Sequence, residues 1–180
     1  MKFTDIRQFT RSGSYQIDVP IDYLLKTLDG YKKHYNLQMN PDFQRGNVWT
    51  EEQQIKYLEF FFRGGKSANV IYFNCPSYGI VTDKCNSPDM VLVDGLQRLT
   101  AFIRFLNNEI PIFGTYYKDF EDRPRMINGI LKFNVNDLQT RAEVLRWYIE
   151  MNSGGVVHSD EEIKRVKEML RQEEIKDIEL

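Results

Sequence analysis

The chain has 180 residues, 42% apolar, 28% charged and 13% aromatic, which suffices to bury one core and excludes global disorder. A formal net charge of −2 and a pI of about 5.8 exclude a strongly basic nucleic-acid coat, although a local basic patch is compatible with them. No apolar run reaches membrane-spanning length and Met1-Lys2-Phe3-Thr4-Asp5 opens no signal peptide, so the expectation is a soluble, cytoplasmic protein without a membrane partner.

One domain is expected over residues 1–180, with a loose polar arm at 1–14 and a helical extension at 159–180. Tyr15-Gln16-Ile17-Asp18-Val19 alternates as a short strand. Pro20 then opens a helix carrying Ile21, Leu24, Leu25 and Leu28, which Asp29-Gly30 is expected to end. Residues 36–49 lack periodicity and contain the turn signal Asn40-Pro41. Thr50 and Gln53 form a capping box for a helix bearing Ile55, Tyr57, Leu58, Phe60, Phe61 and Phe62. That helix is apolar around much of its circumference, which predicts extensive burial, and Gly64-Gly65 ends it.

Val70-Ile71-Tyr72-Phe73 reads as a buried strand, and Ile80-Val81 as part of a small hairpin. Met90-Val91-Leu92-Val93 is a second unbroken apolar run, expected to be a central strand. Asp94-Gly95 breaks it, and Leu96, Leu99, Phe102, Ile103 and Leu106 then mark a helix face. Short strands are expected at Ile110-Pro111-Ile112-Phe113 and Ile130-Leu131-Lys132-Phe133. Thr140 with Glu143 caps a helix running to about Met151. Asn152-Ser153-Gly154-Gly155 reads as a loop, and Ser159 with Glu162 caps the C-terminal helical stretch.

Two cysteines, Cys75 and Cys85, and two histidines, His34 and His158, do not make a zinc centre. The thiols are read as reduced, with a disulfide as the alternative. Gly64-Gly65-Lys66-Ser67 imitates the end of a phosphate-binding loop. Phe60 stands where that pattern needs glycine, and a helix precedes it instead of a strand.

The strongest chemical signal is Val93-Asp94-Gly95-Leu96-Gln97-Arg98. A strand delivers a carboxylate to its edge, glycine permits a tight turn, and a helix begins whose amides and dipole favour an anion. Arg98 adds a planar charged fork suited to phosphate, and Asp94 is suited to bind Mg²⁺ or orient a water. The structural alternative is Asp94 as N-cap, salt-bridged to Arg98. Arg45, in Phe43-Gln44-Arg45, is either a second phosphate ligand or a surface arginine stacked on Trp49. Asn152, Gly154 and Gly155 either close over a nucleotide or simply cap a helix. The aromatic helix at 50–62 and the pair Trp147-Tyr148 are read as core, not as base-stacking platforms.

Taken in order, Phe43-Gln44-Arg45, Trp49-Thr50-Glu51-Glu52-Gln53, Val93-Asp94-Gly95-Leu96-Gln97-Arg98-Leu99-Thr100 and Met151-Asn152-Ser153-Gly154-Gly155 resemble the N-terminal domain family of GmrSD-type, modification-dependent restriction endonucleases. The resemblance covers roughly residues 15–165. It implies an α+β fold of the ParB/sulfiredoxin-like type, a small mixed sheet flanked by helices. It also implies nucleotide binding and hydrolysis tied to DNA restriction. Asp94, Gly95, Gln97 and Arg98 match the family's Asp-Gly-Gln-Gln-Arg signature, with Leu96 replacing its middle Gln. Gln44 and Arg45 match the upstream Gln-Arg pair, and Asn152, Gly154 and Gly155 the downstream loop. The sulfiredoxin turn carries Gly-Cys-His-Arg; here Gly95-Leu96-Gln97-Arg98 has no cysteine nucleophile, which excludes sulfinic-acid repair.

Two histidines do not assemble an HNH nuclease site, so any DNA cleavage is expected from this domain itself. A short stand-alone form would suit a phage or mobile-element protein. The first reading is an NTP-hydrolysing, Mg²⁺-dependent domain. In it Asp94, Gln97 and Arg98 are catalytic, Asp94 holds the metal, and Gln44, Arg45, Gly95, Asn152, Gly154 and Gly155 bind the nucleotide. Two alternatives stand beside it: a stand-alone DNA nuclease using the same cleft, and a non-catalytic module that binds a nucleotide or a host or phage protein.

Overall fold

The pleat of four strands sorts the apolar residues into two cores. The structure is a computed structural model, describing residues 1–6, 15–65, 67–78, 90–122, 129–153 and 160–178. Strands β1 (Tyr15–Pro20), β2 (Val70–Asn74), β3 (Val91–Asp94) and β4 (Ile130–Asn136) form one sheet in the order β1-β4-β2-β3. The β1–β4 and β2–β3 pairs are antiparallel and the β2–β4 pair is parallel, so the sheet is mixed. With helices α1 (Leu24–Tyr35), α2 (Glu51–Phe62), α3 (Leu96–Leu106), α4 (Arg141–Ser153) and α5 (Asp160–Ile178), the chain is α+β.

Alternate residues of each strand face opposite layers. Ile71, Phe73, Leu92, Leu131, Phe133 and Val135 join Leu24, Leu28 and Tyr31 of α1, Leu58 and Phe61 of α2, and Leu99, Phe102 and Phe105 of α3. Val93 turns the other way, with Tyr72 and Val91 packed beside it, towards Leu145, Trp147, Tyr148 and Ile149 of α4, Val166 of α5, and Phe43. Trp147 and Tyr148 are thus core aromatics, as their sequence context implied.

Several expectations are corrected. Helix α1 does not stop at Asp29-Gly30; it runs to Tyr35 and ends where Asn36 adopts φ +48°. Tyr31, buried against the rings of Tyr35, Phe73, Tyr78 and Phe133, outweighs the low helix propensity of Gly30. Helix α2 buries one face, Gln54, Leu58 and Phe61, while Phe60 stays exposed. Ile110-Pro111-Ile112-Phe113 forms no strand. Ile112 and Thr115 bond each other at 3.0 and 2.8 Å around a turn with Phe113 at φ +47° and Gly114 at φ +76°. Asn152 and Ser153 belong to the last turn of α4.

The largest correction concerns β3, which is an edge strand and not a central one. Its outer edge is nevertheless closed. The Gln38 amide donates to the Met90 carbonyl at 2.8 Å, and the Leu92 amide to the Gln38 carbonyl at 3.0 Å. That cover explains an unbroken apolar run at the sheet margin.

Both capping boxes that fall on described residues form. The Gln53 amide donates to Thr50 Oγ1 at 3.3 Å, and the Glu143 amide to Thr140 Oγ1 at 3.2 Å. Cys75 is buried and forms no disulfide among the described residues. The expectations for Ile80-Val81, Cys85, His158, Lys66 and the Ser159 cap lie outside the described residues. No helix among the described residues is long and apolar enough to cross a membrane.

Gly95, between β3 and α3, has φ +109°, and a Cβ built there would lie 2.7 Å from Ile71 Cδ1. Gly95→Ala is therefore expected to lower the unfolding free energy by roughly 2–4 kcal/mol in denaturant titrations. Combined with Ile71→Val, which removes Cδ1, it should cost less than the sum of the two single changes. Strict additivity would show that the torsion alone, and not the contact, excludes a side chain.

Candidate functional site

The site grows out of the β3–α3 turn. β3 ends at Asp94, Gly95 is the N-cap of α3, and no side chain caps that helix. The first backbone bond across the turn is Leu99 N–H to the Gly95 carbonyl, at 2.9 Å. The amides of Leu96, Gln97 and Arg98 therefore precede the intrahelical ladder, at the positive end of the helix dipole.

A cleft of about 220 Å³ opens at this point. Gln44, Arg45, Trp49, Asp94, Gly95, Leu96, Gln97, Arg98 and Asn152 line it together with Val93, Tyr148 and Met151. Residues about 50 and 100 positions apart in the chain thus converge on one cleft. Of the predicted site residues, Gly154 and Gly155 lie outside the described residues.

Arg98 is firmly held. Nη2 pairs with Asp94 Oδ2, and Nη1 donates to the Val70 carbonyl at 2.7 Å. The two side chains are 17% and 34% exposed, so the pair sits at the cleft wall and not in bulk solvent. The salt bridge of the structural alternative is formed, but Gly95 takes the N-cap position proposed there for Asp94.

The two glutamines bond to main chain. Gln44 Nε2 donates to the carbonyls of Leu92 at 2.6 Å and Val93 at 3.3 Å, extending the cover over the β3 edge. Gln97 Oε1 accepts from the amides of Val48 at 2.9 Å and Trp49 at 3.0 Å, and its Nε2 donates to the Gly46 carbonyl at 2.6 Å. The sequence reading makes Gln97 catalytic; in the structure its side-chain amide positions residues 46–49. The spacing of a motif does not disclose such a partner, 48 or more residues away in the chain.

Arg45 does reach the cleft, but its guanidinium meets Glu162 of α5 at 3.4 Å. Trp49 packs its ring 5.3 Å from that of Tyr57. Asn152 Nδ2 turns back onto the Tyr148 carbonyl of its own helix at 2.7 Å.

Three contributors were not assigned to the site from sequence. Arg165 donates to the carbonyls of Asp42 at 2.8 Å, Phe43 at 3.0 Å and Gln44 at 3.3 Å. Glu162 was read only as part of a capping box. Tyr148 was read only as core, yet it lines the cleft while its ring stands edge-on to Phe43 at 5.2 Å. Burial pushes its phenol pKa up, and the carboxylates of Glu162 and Asp94 add to this against Arg45 and Arg165. One turn of spacing between Glu162 and Arg165 is the signal that the sequence did carry.

Among the described residues no three His, Cys, Asp or Glu side chains cluster as a metal site. Asp94 is the carboxylate in the cleft lining. One carboxylate fits Mg²⁺, which commonly takes one or two from a protein and completes its shell with phosphates and water.

A comparison with protein-family models matches residues 24–128 to the GmrSD restriction endonuclease, N-terminal domain. No curated protein and no solved structure matches. The matched stretch contains Gln44, Arg45 and the whole Asp94-to-Arg98 turn. Helices α4 and α5 lie beyond it.

Gln97→Ala removes all three bonds to residues 46–49. It should cost about 1–3 kcal/mol and accelerate hydrogen exchange at the Val48 and Trp49 amides in NMR spectra. Wild-type protection of both amides would show that the segment holds itself.

Proposed function

The chain belongs to the GmrSD restriction endonuclease N-terminal domain family, and from that premise we propose that its cleft binds a nucleoside triphosphate through the phosphates and hydrolyses it with Mg²⁺. The observation that carries the reading is the uncapped N-terminus of α3, opening on a cleft lined by both Arg45 and Arg98. Backbone amides, a helix dipole and guanidinium groups are the components that hold phosphate. Catalysis of phosphoryl transfer consists mostly of positioning and charge stabilisation, which such groups supply.

Each residue then has a stated task. Arg98 binds phosphate oxygens. Of its five N–H donors, one is given to Asp94 and one to the Val70 carbonyl, and those two contacts orient the rest of the fork. Arg45 is the second phosphate ligand. Asp94 holds Mg²⁺ or a water, and the ion, when bound, would neutralise charge on the phosphate oxygens. Gly95 allows the phosphates to approach the backbone. Gln44 and Gln97 position residues 44–49, which form one wall of the cleft. The family's tie to restriction systems connects this hydrolysis to DNA, and the net charge of −2 favours nucleotide over tightly held DNA as the direct ligand.

The test is a panel of nucleoside triphosphates and plasmid DNA, with and without Mg²⁺. Phosphate release without nicking supports the proposal. Nicking without nucleotide would assign the same cleft to DNA cleavage, and nucleotide binding without turnover would make the domain a non-catalytic module. Arg98→Ala should weaken nucleotide binding roughly ten- to a hundredfold, measured by calorimetry on the folded protein. Unchanged affinity would leave Arg98 a purely structural partner of Asp94.

Asp94→Asn separates charge from shape. Hydrolysis should fall steeply, while metal-free nucleotide binding stays level or tightens because a negative charge beside the phosphates is gone. Wild-type turnover in Asp94→Asn would remove Asp94 from the chemistry.

A further inference from the structure

Helix α5 lies outside the family-matched residues 24–128, yet two of its side chains, one turn apart, hold the segment that enters the cleft. Residues 42–44 belong to no helix or strand, so their carbonyls have no ladder partners. The Arg165 guanidinium gathers all three, at 2.8, 3.0 and 3.3 Å. The next side chain, Arg45, meets the Glu162 carboxylate at 3.4 Å. Val166 anchors this stretch of α5 in the same core cluster as Phe43.

The resulting charge pattern is specific. Arg98 is paired with Asp94, and Arg45 with Glu162. Both arginines assigned to phosphate are thus held by carboxylates. The Arg45 and Glu162 side chains are 20% and 26% exposed, so the pair is shielded from water yet within reach of an anion entering the cleft.

We propose that α5 governs the anion affinity of the cleft: Arg165 is a positioning residue that fixes the backbone carrying Gln44 and Arg45, and Glu162 competes with an incoming phosphate for the Arg45 guanidinium. The proposal rests on the phosphate-binding reading of the cleft. It adds that the affinity of this site is set by a helix outside the matched family stretch. A polyphosphate exchanges with Glu162 at Arg45, and neutralising Glu162 removes the competitor.

The experiment uses the full chain, inorganic tripolyphosphate as the probe in titration calorimetry, and amide hydrogen exchange of the ligand-free protein. E162Q should bind tripolyphosphate about fivefold more tightly than the wild type, the reverse of what loss of a purely structural ion pair would do. R165A should bind about tenfold more weakly and exchange faster across residues 42–49, with the β2 and β4 amides unchanged. R165K should recover only part of the affinity, since an ammonium lacks the planar fork.

Unchanged or weaker binding by E162Q overturns the competition. Wild-type exchange across 42–49 in R165A overturns the clamp. Absence of tripolyphosphate binding in every protein overturns the phosphate reading itself, while the exchange measurement still decides on Arg165. Should R165A fail to fold, E162Q and R165K still discriminate, because neither removes packing.

Discussion

One backbone torsion organises the candidate site. Gly95 at φ +109° turns the chain from strand to helix without a spare residue, and the Ile71 side chain fills the space a Cβ would need. Tyr72 is still paired with Asp94 in the β2–β3 ladder, so the carboxylate is fixed by the sheet up to the residue before the turn. Helix α3 then starts at Leu96, which puts Arg98 one helical turn from Asp94 and sets the first turn of α3 in the lining of the same cleft. A longer connection would separate the carboxylate, the guanidinium and the amides that the tight turn brings together.

The wall facing this turn is built by a different principle. Residues 41–49 have no regular structure, and strand β3 is an edge strand with carbonyls to satisfy. Side chains meet both needs. Gln44 covers the carbonyls of Leu92 and Val93, Gln97 holds Gly46, Val48 and Trp49, and Arg165 holds residues 42–44. Each such bond contributes only about 0.5–1.5 kcal/mol net. The set therefore acts as a constraint on conformation more than as a source of stability.

Local signals in the sequence were legible where local physics decides. The Thr50 and Thr140 capping boxes and the β3–Gly95–α3 junction follow from short motifs, whereas the convergence of Gln44, Arg45, Asp94 and Arg98 was implied by the family resemblance. What escaped depends on distant partners. Gly30 stays helical because Tyr31 is buried by aromatic rings from β2 and β4. Met90 to Val93 looks like a central strand because Gln38 and Gln44, brought from upstream, cover its edge. Phe60 repeats the apolar pattern of α2 but faces solvent, since only one stripe of that helix meets the core. Whether a glutamine serves a water or a backbone amide cannot be read from spacing, and Gln97 serves the backbone.

The Asp94 and Arg98 pair is the point at which structural and functional readings coincide. As helix support it is poorly placed, because a cation in the first turn opposes the helix dipole. In the proposed function it is well placed, since Asp94 orients the guanidinium that receives the phosphate. A largely shielded guanidinium without a counter-charge is costly, and Asp94 supplies that charge. The same logic applies to Arg45 and Glu162. A chain with a net charge of −2 can thus keep two arginines at one cleft without a standing positive patch. In the proposed reading Asp94 stays to orient Arg98, and Glu162 is the carboxylate that a phosphate displaces from Arg45.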